Sequence, residues 1–271
     1  MKTDILVLFY KTASRKIIKS INAGTPFSRA RKLNTLKEID GILGELDKKT
    51  NKWVNRELKT NYLQGKKDTQ TLLKKADVSI NVAFNKIDQE AVKVLTSDTQ
   101  LHFAEAISGV KRYSTRILDK ASKERIKAIL VEGRISGATK KVISDNIAGQ
   151  LKQGFIALKD KAGKNWKIET YADMLAQTKM TEATNQGLQN QLLQEDYDLV
   201  QVTNHGTKCQ ICEPWEGEIL SISGNSKEYR SVDEAEGAGL FHPRCQHRLV
   251  PYHEDFAKQS KQWSGDLQKY I

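Results

Sequence analysis

The chain is 271 residues long, with 38% hydrophobic and 28% charged side chains, the composition of a folded, water-exposed protein of one large or two modest domains. Its longest apolar run, Ile5 to Tyr10, is six residues flanked by Asp4 and Lys11, which excludes a membrane-spanning helix and the core of a signal peptide. The net charge of +11 is uneven: residues 1–32 carry eight basic side chains (Lys2, Lys11, Arg15, Lys16, Lys19, Arg29, Arg31, Lys32) against Asp4 alone, and the remainder is close to balanced.

The first segment, 1–32, therefore reads as a basic N-terminal arm that seeks a partner of negative charge. Nucleic acid is the commonest such partner, and an acidic protein surface or plain solvation are the alternatives. Arg15, Lys16, Lys19, Arg29, Arg31 and Lys32 are the candidate nucleic-acid contacts, made to phosphate without sequence readout. Phe9, Tyr10 and Phe27 are the only rings there, so the aromatic interleaving of single-strand binders is absent.

Residues 33–158 read as a helical region. From Leu36 the apolar positions Ile39, Leu43, Leu46 and Trp53 recur at helical spacing, with Thr50 in the remaining slot. A second run uses Ile80, Phe84, Ile87, Ala91 and Val94, a weaker third covers roughly 98–119, and a fourth, 123–131, ends near Gly133. Ser136 to Leu151 adds another, with Val142, Ile143, Ile147 and Leu151 on one side. Such stripes are packing seams in the first instance, so an elongated helical bundle or hairpin is expected. After a Lys- and Gly-rich connector, Lys159 to Asn165, the segment 165–271 reads as an α+β module. It contains a helix from about Thr170 to Gln194, strands Leu199–Thr203 and Glu218–Ser223, an acidic Gly-containing loop from Asp233 to Gly239, and a last strand, Arg248–Tyr252. The fold class is thus mainly α, ending in a small α+β unit with a short sheet.

All three cysteines fall in that unit, as Cys209-x-x-Cys212 and then His242-Pro-Arg-Cys245-Gln-His247. A CxxC turn holds two thiolates about 3.5 to 4 Å apart, the edge of a tetrahedron around Zn²⁺, and the second cluster supplies further sulfur and nitrogen ligands. Cys209, Cys212 and Cys245 lead the candidate set. His247 and His242 compete for the fourth position, and His205 is weaker because it sits away from the turn. A redox dithiol and metal-free thiols are the alternatives, but a thioredoxin-like CxxC opens a long helix, whereas Pro214, Gly217 and Gly224 follow here. An odd number of cysteines suits reduced thiols and a structural Zn²⁺, which would staple a unit too small to bury much core. Trp215 is expected as a lid on the apolar side of the clip, Glu213, Glu216 and Glu218 as solvated charges, and His102 as an ordinary helix residue. The glycines near 217–239 lack the context of a phosphate-binding loop, and no small-molecule substrate or catalytic residue is indicated.

Several stretches carry a resemblance: LAQTKMTEATNQG at 175–187, CQICEPWEG at 209–217, FHPRCQHRLVPY at 241–252, and the helical pair at 123–151. Together, over about 120–253, they resemble the phage Mu F-like head morphogenesis proteins, also called phage minor capsid proteins. Family members commonly have cysteine where this chain has His247, an exchange that preserves metal ligation. The resemblance implies a nonenzymatic virion component present in few copies, bound to portal, capsid or scaffold proteins inside the capsid, made in the host cytoplasm, and acting in head assembly or DNA packaging and delivery. No further toxin or transferase domain is expected after the module. Two other readings stand beside it: a zinc-containing HNH-like nuclease with His205 or His253 as base, and a helical adaptor whose zinc unit docks on a partner protein.

Overall fold

The computed structural model describes residues 3–23, 28–75, 77–132, 137–152, 156–159 and 165–252. Lys2, Phe27, Gly133, His253 and most of the expected connector lie outside these residues. In chain order the elements are α1 (Asp4–Ala23), α2 (Arg29–Lys75), α3 (Lys86–Glu132), α4 (Gly137–Lys152), β1 (Ile156–Lys159), β2 (Asn165–Lys167), α5 (Ile168–Gln194), β3 (Leu199–Val202), β4 (Ile219–Ser221), α6 (Val232–Gly237) and β5 (Leu249–Pro251). The protein is mainly helical, with a small antiparallel sheet, β4-β3-β5, near its C-terminus. Among the described residues no helix is long and apolar enough to cross a membrane.

The chain forms two compact units, Met1–Asn55 with Ser97–Ala176 and Arg56–Thr96 with Gln177–Ile271. The boundaries fall inside α2, α3 and α5, so each unit is drawn from two stretches. The division by consecutive segments read from charge and composition runs differently, because a long helix can change its neighbours without ending.

In the first unit, residues 4–23 form a helix with a buried face. Leu6, Tyr10, Ala13, Ile17 and Ile21 follow steps of four, three, four and four and are buried, while Ile5, Leu8, Arg15 and Lys19 are exposed. The Tyr10 ring lies 6.1 Å from Phe103, and its hydroxyl accepts a hydrogen bond from Thr50 Oγ1 at 3.3 Å. Thr50 thus fills the polar slot of the α2 stripe by meeting a buried phenol. Helices α2 and α3 run antiparallel here, with Lys111 Nζ 2.9 Å from Asp40 Oδ1 and Lys32 paired with Asp119.

The second unit contains the sheet. β3 is central, pairing Val200 with Leu220 of β4 and with Pro251 of β5; proline, which cannot donate to a ladder, sits on an edge strand. Val200, Val202, Leu220, Leu249, Leu188 and Leu192 join Leu73 in one core. The helical run expected over Ile80–Val94 begins later than its spacing suggests. Asn85 caps α3: the Asp88 N–H donates to Asn85 Oδ1 at 3.1 Å, and the Asn85 N–H donates to Asp88 Oδ2 at 2.8 Å. Ile80 and Phe84 therefore precede the helix. From Lys86 onward the three expected runs are one 47-residue helix, because neither proline nor a cap interrupts it and only the buried face changes.

Candidate metal centre

The Cys209–Cys212 segment is a tight turn. The backbone N–H groups of Cys212 and Glu213 donate to the Cys209 carbonyl at 3.0 and 2.9 Å, and the Thr207 hydroxyl accepts from the Cys209 N–H at 3.1 Å. A short 3-10 turn, Glu213–Trp215, follows with Pro214 in it. The opposing loop closes with the Cys245 N–H donating to the His242 carbonyl at 2.8 Å. Pro243 and Arg244 occupy its two central positions, and Arg244 takes the left-handed φ of 67° that a type II turn requires. Phe241 just before it has φ 62°. Two non-glycine residues in that region cost about 1–3 kcal/mol each and persist only where the surroundings over-determine the backbone.

What the loop achieves is convergence. Cys209 Sγ lies 3.4 Å from His242 Nε2, Cys212 Sγ 3.7 Å from Cys245 Sγ, and Cys245 Sγ 3.2 Å from His247 Nδ1. The donors form two triads, Cys209–Cys212–His242 and Cys212–Cys245–His247, each with all ligand atoms within 4.8 Å of one another, and Cys212 belongs to both. These spacings approach the edges, about 3.5–3.8 Å, of a tetrahedron with metal–sulfur bonds of about 2.3 Å and metal–nitrogen bonds of about 2.0 Å.

Each histidine has its tautomer fixed by the nitrogen that faces away. His242 Nδ1 lies 3.0 Å from the Pro243 carbonyl, which only accepts, so in the neutral ring the proton is on Nδ1 and the lone pair of Nε2 points at Cys209. His247 Nε2 donates to Glu216 Oε1 at 2.9 Å, leaving the Nδ1 lone pair toward Cys245. This carboxylate–imidazole pair is the arrangement that orients and strengthens a metal-binding histidine. Glu216 was expected to be solvated, but its side chain is 9% exposed. Burial alone would raise its pKa; backbone N–H groups of His205 at 2.8 Å and Thr207 at 3.1 Å, together with His247, outweigh this and hold the carboxyl below its usual range.

The thiols differ. Backbone N–H groups of Cys212 and Ile211 lower Cys209 to about 7, against a smaller opposing effect of burial. Burial first, then the neighbouring Cys245, pushes Cys212 up to about 12. This soft, sulfur-rich set of donors fits a tetrahedral metal ion, whose charge would offset that of thiolates held so close together. The cluster could therefore hold one. All three cysteines are free thiols.

His205 stays outside the cluster: its Nε2 lies 3.0 Å from Thr203 Oγ1 and its ring meets His247 edge-on at 5.2 Å. Trp215 is buried with Cys212 in the unit's core, and the Arg230 guanidinium sits 3.9 Å from its ring centroid. Glu213 and Glu218 are exposed, Glu218 beside Arg230 at 3.3 Å. His102 lies on an outer helix face, 3.7 Å from Asp98 and 3.8 Å from Glu105. The candidate cations of the first 32 residues are scattered: Arg15, Lys19 and Arg29 are exposed, Arg31 is half-buried, Lys16 approaches Glu45 at 3.7 Å, and Lys32 pairs with Asp119.

A family model described as phage minor capsid protein 2 matches residues 14–270. No curated protein and no solved structure matches the chain.

Proposed function

Because the chain belongs to the phage minor capsid protein 2 family, a family of virion components, we propose that it sits inside the capsid at the portal vertex and acts in head assembly or in packaging and delivery of the genome. The match over residues 14–270 carries this reading. In phage particles bearing this protein, protease should leave the chain intact in sealed heads and digest it once the heads are opened by chelation or heat. Digestion in sealed heads would overturn the interior placement. Cross-linking to the portal subunit in those heads, in preference to the major shell protein, is the accompanying expectation.

Within that role the cysteine–histidine cluster is a structural Zn²⁺ site. Cys209, Cys212 and Cys245 supply thiolates, and His247, buried and oriented by Glu216, is the fourth ligand, with His242 beside it. A site closed by four protein ligands has no open position for a substrate. Elemental analysis of protein purified without added metal should give one zinc per chain in the wild type and none in Cys212→Ser. Metal-free wild type of native fold would end the zinc assignment. Contact with packaged DNA completes the reading. It rests on the excess of basic residues and needs no sequence recognition.

A further inference from the structure

The densest run of cations in the first unit lies on α3, outside residues 1–32 in sequence. Between Lys111 and Lys127 that helix carries seven basic residues and two acidic ones. Arg112, Arg116, Lys120, Lys123 and Lys127 are all exposed, and their steps of four, four, three and four residues put them on one face. Arg116 leans over the Tyr113 ring, 5.5 Å from its centroid. Arg112, Lys120, Lys123 and Lys127 have no carboxylate partner among the described residues. Of the nearby carboxylates, Asp119 is taken by Lys32 and Asp40 by Lys111, which leaves Glu124 as the one other acidic residue of the stretch against five exposed cations. Those two pairs also bring the start of α2, with Arg29 exposed, alongside the same stretch of α3.

Elsewhere on these helices charges alternate and pair, as Glu45 does with Lys49 at 2.7 Å and Glu90 with Lys93 at 3.5 Å. Like charges at three- and four-residue spacing oppose a helix instead of supporting it, so a row of five exposed cations that Glu124 alone can offset calls for an anion from outside. The row spans about 22 Å at about 1.5 Å per residue. Folded protein surfaces intersperse both signs, whereas duplex DNA presents an unbroken charge density of one per about 1.7 Å of axis. The stripe has no exposed ring on which an unpaired base could stack, as single-strand sites do.

We infer that the exposed α3 face of Arg112, Arg116, Lys120, Lys123 and Lys127 is a docking surface for the phosphate backbone of double-stranded DNA. The inference rests on the DNA-contact part of the proposed function and relocates that contact from the first 32 residues to α3.

The test is fluorescence anisotropy with a random 30-base-pair duplex and full-length protein across a salt series. Five phosphate contacts give a log–log salt slope of about −4.5, hence an affinity loss of about 500-fold between 50 and 200 mM salt. The triple variant Arg112→Gln, Arg116→Gln, Lys120→Gln should lower the slope magnitude by about 2.7 and weaken binding at least tenfold. Arg15→Gln with Lys19→Gln should change it less than twofold. Glutamine preserves helix propensity, and a double Arg112→Lys, Arg116→Lys variant should keep both affinity and slope, which separates lost charge from lost fold. Loss in the Arg15/Lys19 variant with the α3 variant unaffected overturns the α3 surface and leaves the DNA-contact reading standing. No duplex binding by wild type at 50 mM salt, or equal binding to polyglutamate, overturns both and leaves the virion placement to the protease experiment.

Discussion

Glu216 gathers two backbone N–H groups and the His247 imidazole around one carboxylate. Its value lies in what it does to His247: an acceptor fixed on Nε2 keeps Nδ1 bare and aimed at the sulfurs. Glu216→Gln should keep the fold but weaken zinc affinity about 10–100-fold, measured by competition with a chromophoric chelator. His247→Ala should lose the metal while His242→Ala retains it, since only His247 combines burial with a carboxylate partner; the reverse pattern in elemental analysis would reassign the fourth ligand to His242. The cysteines and histidines were legible in the sequence because their spacing within two turns is local. Glu216 was not, because its partner lies 31 residues on and nothing local distinguishes it from Glu213 or Glu218.

Helices α2 and α5 of the second unit meet at glycines. A Cβ on Gly65 would stand 2.0 Å from the Thr184 carbonyl oxygen, and one on Gly187 would stand 2.1 Å from the Tyr62 carbonyl oxygen. These contacts are with backbone and cannot be relieved by a rotamer change. Gly65→Ala and Gly187→Ala should each destabilise by about 3 kcal/mol, the upper range for overpacking, whereas Gly41→Ala, with nothing within 4 Å, should stabilise α2 by about 0.5–1 kcal/mol through helix propensity; thermal melts of the three variants check the contrast. Beside the crossing, Lys66 Nζ and Asp88 Oδ2 are 2.6 Å apart and fully buried, with Tyr62 donating to Asp88 Oδ1 at 2.7 Å and Asn190 donating to Tyr62 at 2.6 Å. Burial would raise the Asp88 pKa, but hydrogen bonds from Lys66, the Asn85 backbone and Tyr62 lower it further than burial raises it. A carboxyl whose folded pKa is depressed contributes stability above its unfolded pKa and loses that contribution as pH falls through the folded value. Urea midpoints should therefore drop below the usual carboxylate range in wild type, and less so in Asp88→Asn. That variant, leaving Lys66 charged without a counterion, should already cost about 3–5 kcal/mol at neutral pH.

Taken whole, the molecule is two compact units, only one of which contains the cysteine–histidine cluster. If zinc binding is coupled to folding of that cluster, chelation should act locally. Hydrogen exchange after zinc removal should speed up in 199–221 and 241–251, with the α1 amides in 4–23 unchanged. Uniform acceleration throughout would mean instead that the metal holds the entire chain.

Helical spacing, strand alternation and the clustered cysteines are properties of neighbours in sequence, and these the sequence determined: a mainly α chain, a short C-terminal sheet, two cysteine- and histidine-bearing segments that could hold a metal and a minor-capsid resemblance. Tertiary structure decided what depends on residues far apart in the chain. It buried one face of residues 4–23, which composition presents only as a basic segment, because burial is set by what packs opposite. It joined the separate apolar runs of α3 into one helix, turned Glu216 inward, and spent Lys16, Lys32 and Lys111 on carboxylates of other helices, while five cations on one face of α3 stay exposed. Charge can be counted along a sequence, but its neutralisation depends on distance in space.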